Sequence, residues 1–160
     1  MTLPAKFVER VLCDLGEAEG RALCAALDGV PPVSVRVNPV KAAPGALPAL
    51  EIAGQVPWCR DGRYLAVRPS FTLDPDFHAG AYYVQEASSQ FVGHLLEGVR
   101  TEGVRILDLC AAPGGKTTLY ASLAGPGGLV VANEIDRRRA AVLADNVRKW
   151  GTGNVAVTTC

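Results

Sequence analysis

The chain has 160 residues, 49% of them apolar, which is enough to build a core. Its 16 basic and 16 acidic side chains cancel, which excludes a tail-like polycation and leaves any nucleic-acid partner to a locally basic face. No early apolar run has signal-peptide length and none approaches about 18 continuous apolar residues, so an untargeted, soluble protein without a membrane partner is expected.

Pro4 to Leu15 places Phe7, Val8, Val11, Leu12 and Leu15 at helical spacing, and Gly16 ends the run. Glu17 to Leu27 repeats the pattern up to Gly29. Cys13 and Cys24 fall inside these helices and read as small buried apolar residues. With Cys59, Cys110 and Cys160 they make an odd total and no Cys-x-x-Cys pair. Neither a zinc site nor a disulfide framework is expected, and a reducing cytoplasm is.

Val33-Ser-Val-Arg-Val-Asn-Pro39 alternates apolar and polar, the pattern of a half-buried strand, with Arg36 and Asn38 on one face. Lys41–Pro48, with Pro44, Gly45 and Pro48, reads as a loop. Leu50–Gly54 is too short to assign. Val56–Arg60 and Arg63–Val67 around Asp61-Gly62 predict a hairpin with Trp58 and Tyr64 packed across it. Pro69 to Gly80 lacks periodicity and reads as a connector containing the domain boundary. Ala87, Phe91, Val92, Leu95 and Leu96 then mark a helix, in which His94 is a surface residue.

Val104–Cys110 predicts a first parallel strand and Lys116–Leu123 its crossover helix. A second strand covers Gly128–Glu134. Asp136 caps a helix over Arg137–Trp150 whose inward face is Ala140, Ala141, Leu143, Ala144 and Val147. Val155–Cys160 is a third strand. Strand–helix–strand–helix–strand is half of a doubly wound α/β sheet.

The turn between the first strand and its helix is the chemically informative stretch. Cys110, Ala111 and Ala112 are small, Pro113 follows, and Gly114 and Gly115 let a ligand approach the backbone. The helix opening near Lys116 offers amides to electron-rich groups. A phosphate-cradling loop would fit Gly115, Lys116 and Thr117 but has Cys110 where its first glycine belongs. A nucleoside turn starting at Asp108 fits better, because the next strand ends in an acid, Glu134, 26 residues further on. That is near the spacing at which a carboxylate meets ribose hydroxyls in a βαβ unit.

Asp108-Leu-Cys-Ala-Ala-Pro-Gly-Gly-Lys-Thr117, Ala132-Asn-Glu134 and Arg139 resemble the cofactor motifs of the Sun/Fmu-type RNA cytosine-5 methyltransferases, a family with bacterial 16S ribosomal RNA members. Ser34-Val-Arg-Val-Asn38 and Gly80–Gln90 are similar to its N-terminal signatures, so the likeness covers nearly the whole chain. The resemblance implies a Rossmann-like class I methyltransferase domain, of which residues 76–160 are the first part. A small α+β lobe on the RNA side, residues 1–75, precedes it. It implies S-adenosylmethionine as cofactor and RNA, expected to be ribosomal, as partner.

On the same resemblance, Cys110, Ala111, Ala112, Pro113, Gly114 and Gly115 wrap the methionine and ribose portions. Lys116 closes the loop, Glu134 accepts both ribose hydroxyls and Arg139 lies on the adenosine side. Asp108 either orients the turn or only fixes the loop. Arg36 and Asn38 take a substrate-side or interdomain role, and Gln85, Ser88 and Ser89 line the mouth of the site. The family's nucleophilic cysteine follows a later strand, so neither Cys110 nor Thr159-Cys160 is expected to act, no catalytic residue is assigned, and the chain alone is expected to be inactive. A P-loop-like NTPase fragment and a non-catalytic RNA-binding module are the alternative readings.

Overall fold

The computed structural model describes residues 3–42, 47, 49–96, 98–99 and 102–160. Pro44, Gly45 and Pro48 of the expected loop lie outside them. The contacts divide the chain into two compact units, Met1–Pro32 and Val33–Cys160. The boundary expected after residue 75 falls inside the second unit, whose first sheet takes a strand from beyond that point.

In the first unit, helices α1 (Ala5–Leu15) and α2 (Glu17–Asp28) are joined at Gly16. Glu17 and Glu19 sit in the first turn of α2, where the helix dipole favours negative charge. Two helices bury only the stripes that face one another, here around Val11 and Gly20. Cys13 is therefore exposed and Cys24 only half-buried, not core residues as the helical pattern suggested.

The second unit begins with an antiparallel sheet in the order β2–β3–β1–β4. Strand β1 is Val33–Val37, β2 Ile52–Gln55, β3 Gly62–Leu65 and β4 Tyr82–Val84. One face of β1 enters a core with Leu50, Leu65, Phe71 and Tyr82. Its other face, carrying Ser34 and Arg36, is also buried, against helices described below. The hairpin differs from its expected form. Ile52 pairs with Leu65 and Gln55 with Arg63, so β2 lies earlier and Val56–Asp61 is the connection. Pro57 cannot donate to a ladder, which ends the strand before it. Trp58 sits in that connection, donating its indole N–H to the carbonyl of Ala87 at 2.7 Å and meeting Phe91 edge-on; it does not pack across the hairpin on Tyr64.

The connector folds into a 3-10 turn at Phe71–Leu73 and a short helix, α3 (Pro75–Ala79), capped by Asp74. Helix α4 spans Ala87–Leu95. The parallel sheet follows: β5 (Arg105–Asp108), α5 (Gly115–Ala124), β6 (Leu129–Asn133), α6 (Arg137–Trp150) and β7 (Val155–Thr158). The strands lie side by side in chain order, all parallel. Asp136 caps α6 as expected, its Oδ1 accepting from the amides of Arg138 and Arg139 at 2.8 and 2.9 Å. Ala140, Leu143 and Trp150 form the buried face of α6. Ala141 is exposed, because steps of three and four residues carry the buried stripe from 140 to 143 and on to 147 and 150.

Candidate functional site

Register brings the turn and the acid together. Asp108, the last residue of β5, pairs with Ala132 on β6, and the amide of Ala111 donates to the carbonyl of Asn133 at 3.0 Å. Glu134 is the next residue. Parallel neighbours end at the same side of a sheet, which is where open α/β folds bind ligands.

The turn is held at each of its ends. Asp108 Oδ2 accepts from Thr117 Oγ1 at 2.7 Å, so this carboxylate fixes the loop to the first turn of α5. The Ala112–Pro113 peptide is cis. Pro113 presents its carbonyl to two donors, Asn146 Nδ2 at 2.8 Å and the Tyr83 hydroxyl at 3.2 Å. Gly114 has φ +112°, and a β-carbon there would lie 3.2 Å from Leu143 Cδ1. At Gly115 a β-carbon would lie 3.2 Å from Gln85 Nε2 and 3.4 Å from the Tyr83 ring. Sterics thus require glycine at the first and favour it at the second.

Cys110, Ala111, Ala112, Pro113, Gly115 and Lys116 line one side of a cavity of about 230 Å³. The opposite side comes from β4 and the start of α4: Tyr83, Val84, Gln85, Glu86 and Ser89. Of the residues expected at the mouth of the site, Gln85 and Ser89 line this cavity, whereas Ser88 is exposed and bonded to Glu86. Gly114 shapes the turn from behind without lining the cavity.

Glu134 and Arg139 lie beside the turn, outside the residues that line this cavity. The Glu134 carboxylate is 3% exposed and forms an ion pair with Arg139 at 3.2 Å. It also accepts from the amide of Asp136 at 3.1 Å. Arg139 in turn donates to the carbonyl of Ala112 at 2.8 Å. The guanidinium thereby ties the acid to the middle of the turn, with its own side chain 59% exposed.

Sequence alone does not point to Tyr83, Asn146 or Thr118, nor to the pairing of Arg36 with Gln85. Asn146 is on α6, 33 residues beyond Pro113, and no local spacing announces such a contact. Burial raises the Tyr83 phenol above its ordinary value, an effect Arg36 partly opposes. Arg36 and Asn38 are both buried, so neither offers a face to a substrate. Asn38 donates to the carbonyls of Gly80 and Trp150 at 3.0 and 2.9 Å. Cys110 and Cys160 are exposed. Among the described residues no trio of His, Cys, Asp or Glu is placed to hold a metal ion, and no helix is long and apolar enough to cross a membrane.

The chain is similar to known proteins. The family described as the N-terminal domain of 16S rRNA methyltransferase RsmF matches residues 3–87. The family described as 16S rRNA methyltransferase RsmB/F matches residues 95–160. Ribosomal RNA small subunit methyltransferase F of Shewanella amazonensis is 37% identical over 133 residues, covering 79% of this chain and 28% of that protein. The chain thus spans under a third of that relative's length. The crystal structure of PH0851 superposes with a TM-score of 0.84 at 28% identity, over 98% of this chain and 36% of that one. A methyltransferase homologue from Pyrococcus horikoshii gives a TM-score of 0.77 at 27% identity, over 99% of this chain and 57% of that one. The two family matches follow one another along the sequence, and the second contains the whole of the turn, Glu134 and Arg139; by the first, which takes in more than half of its residues, the chain belongs to the family described as the N-terminal domain of 16S rRNA methyltransferase RsmF.

Proposed function

We propose that this chain supplies the S-adenosylmethionine-binding half of an enzyme that methylates carbon-5 of cytosine in RNA, with ribosomal RNA as its substrate. The observation that carries the reading is the placement of a small-residue turn and a buried carboxylate at adjacent strand ends, in a chain of this family. A nucleoside needs both: close backbone approach for the sugar and chain, and two acceptor oxygens for paired hydroxyls.

The residues present fit the cofactor. Cys110 to Ala112 put no bulky side chain on the cavity side, Gly115 is packed where a larger residue would intrude, and the start of α5 adds amides suited to a carboxylate. Lys116 lines the same opening. Glu134 would hold the ribose and Arg139 would keep its carboxylate in place. When bound, the cofactor supplies an electrophilic methyl group on sulfur. What these residues do is hold the donor in one orientation, which makes transfer effectively intramolecular. Cytosine also needs covalent activation at carbon-6 by a thiolate, and the exposed Cys110 lies in the turn assigned to the cofactor. The nucleophile is accordingly assigned to none of the described residues.

Full-length protein incubated with tritiated S-adenosylmethionine and unmodified ribosomal RNA should place label on cytosine. Label confined to adenine, guanine or protein would overturn the cytosine assignment. RNA binding without any affinity for the cofactor would point to a non-catalytic module.

A further inference from the structure

Arg36 is 1% exposed; among the described residues no carboxylate is hydrogen-bonded to it, although Asp61 lies near enough to act on its charge. Its Nε donates to Gln85 Oε1 at 3.0 Å. One terminal nitrogen donates to the carbonyl of Gly115 at 3.1 Å and to Thr118 Oγ1 at 2.6 Å. The guanidinium carbon lies 4.4 Å above the ring of Trp150. One side chain of β1 therefore touches the link between β4 and α4, the first turn of α5 and the end of α6.

Stability alone is a poor account of this arrangement. A buried charge with no carboxylate bonded to it is costly even where Asp61 partly offsets the desolvation, and apolar residues of similar volume often replace buried ionic groups at no loss. A cation against the first turn of a helix also opposes the helix dipole. Desolvation by burial pushes its pKa down to about 10, so it remains charged at neutral pH. The planar fork, on the other hand, fixes several acceptors in one geometry, which a lysine cannot reproduce.

Those acceptors bear on the cavity. Gly115 is the last glycine of the turn, and Gln85 lies close enough to crowd any β-carbon there. Both line the cavity, on opposite sides. Thr118 carries the constraint further, since its hydroxyl also bonds the carbonyls of Gly114 and Gly115 at 2.8 and 3.1 Å. We propose that Arg36 is a positioning residue for cofactor binding, setting the separation of Gln85 from Gly115 and so the width of the cavity at the head of α5. It touches no ligand; it acts through these two walls. This rests on the reading of the cavity as the cofactor site.

The test is calorimetric titration with S-adenosylhomocysteine of the wild type and of Arg36→Met and Arg36→Lys, each with a thermal melt. Affinity measured well below the melting point should fall about tenfold in both variants, the loss expected when hydrogen bonds to a charged group are removed. Variants that melt earlier yet bind as tightly as wild type would show a role in stability only and overturn the proposal. If neither variant folds, Thr118→Val decides, because it removes one acceptor and keeps the side chain's shape. It should lose about threefold in affinity while Thr118→Ser retains it, and unchanged affinity in Thr118→Val would overturn the proposal. Wild-type protein that binds no S-adenosylhomocysteine would overturn the cofactor reading itself, and the positioning role with it.

Discussion

Tyr82 shows how much one side chain can hold in this fold. It is 2% exposed, its hydroxyl donates to Asp74 Oδ2 at 2.5 Å, and its ring packs against Phe71 and Phe77. Burial first, and then the bond to Asp74, hold the phenol proton well above the ordinary tyrosine value. The folded state keeps a proton that the unfolded chain releases near pH 10, so this contribution to stability is complete below about pH 10 and is lost as pH rises further. Arg36 runs the other way, because its lowered value makes the folded state release a proton first. Tyr82→Phe isolates the effect. The variant should be less stable than wild type by about 1–3 kcal/mol at pH 7, and urea melts above pH 10 should bring the two curves together. A gap that stays constant from pH 7 to pH 11 would contradict the assignment. At this scale the sequence was only partly legible. That Glu134 lies beside the small residues of the turn could be read, because both follow the ends of neighbouring strands. The burial of Arg36 could not, since an alternating strand gives no sign that both of its faces are covered.

Among the elements, α6 was the most legible: a capping aspartate, an apolar stripe and a glycine after Trp150 set both of its ends. The hairpin was the least legible. Asp61-Gly62 looks like a two-residue turn, yet Gly62 opens β3 and pairs with Arg36 on β1, so tertiary pairing overrode a local signal. Strand β4 has three residues, too few for a pattern, although it forms one wall of the cavity. The turn between β5 and α5 makes its own prediction. Gly114→Ala places a side chain at φ +112° and against Leu143. Strain of this kind costs about 1–3 kcal/mol, and the turn should relieve it by shifting Pro113 and Gly115. Thermal melting should therefore drop and cofactor affinity should drop with it. An alanine variant that melts and binds like wild type would mean that the turn adopts another conformation.

At the scale of the whole chain, two units with different internal logic are present. The helical pair of Met1–Pro32 holds itself by one shared stripe, while Val33–Cys160 joins an antiparallel and a parallel sheet through buried polar contacts. Asn154 illustrates the second kind, donating to the carbonyls of Ala121 and Gly125 at 2.9 and 2.8 Å and so tying the start of β7 to the end of α5. The order of parallel elements was legible because strand and helix periods alternate. The attachment of β4 to β1 was not, because it depends on partners 45 to 49 residues apart in sequence. Everything functional in this account converges on one claim, that the turn at Cys110–Lys116 and the carboxylate of Glu134 together bind a nucleoside. Calorimetric titration of the protein with S-adenosylhomocysteine, and separately with ATP and magnesium, tests it most directly. Saturable binding of the first ligand alone is predicted, weakened by about 1–3 kcal/mol in Glu134→Ala; binding of ATP with magnesium, or an affinity for S-adenosylhomocysteine that Glu134→Ala leaves unchanged, would contradict it.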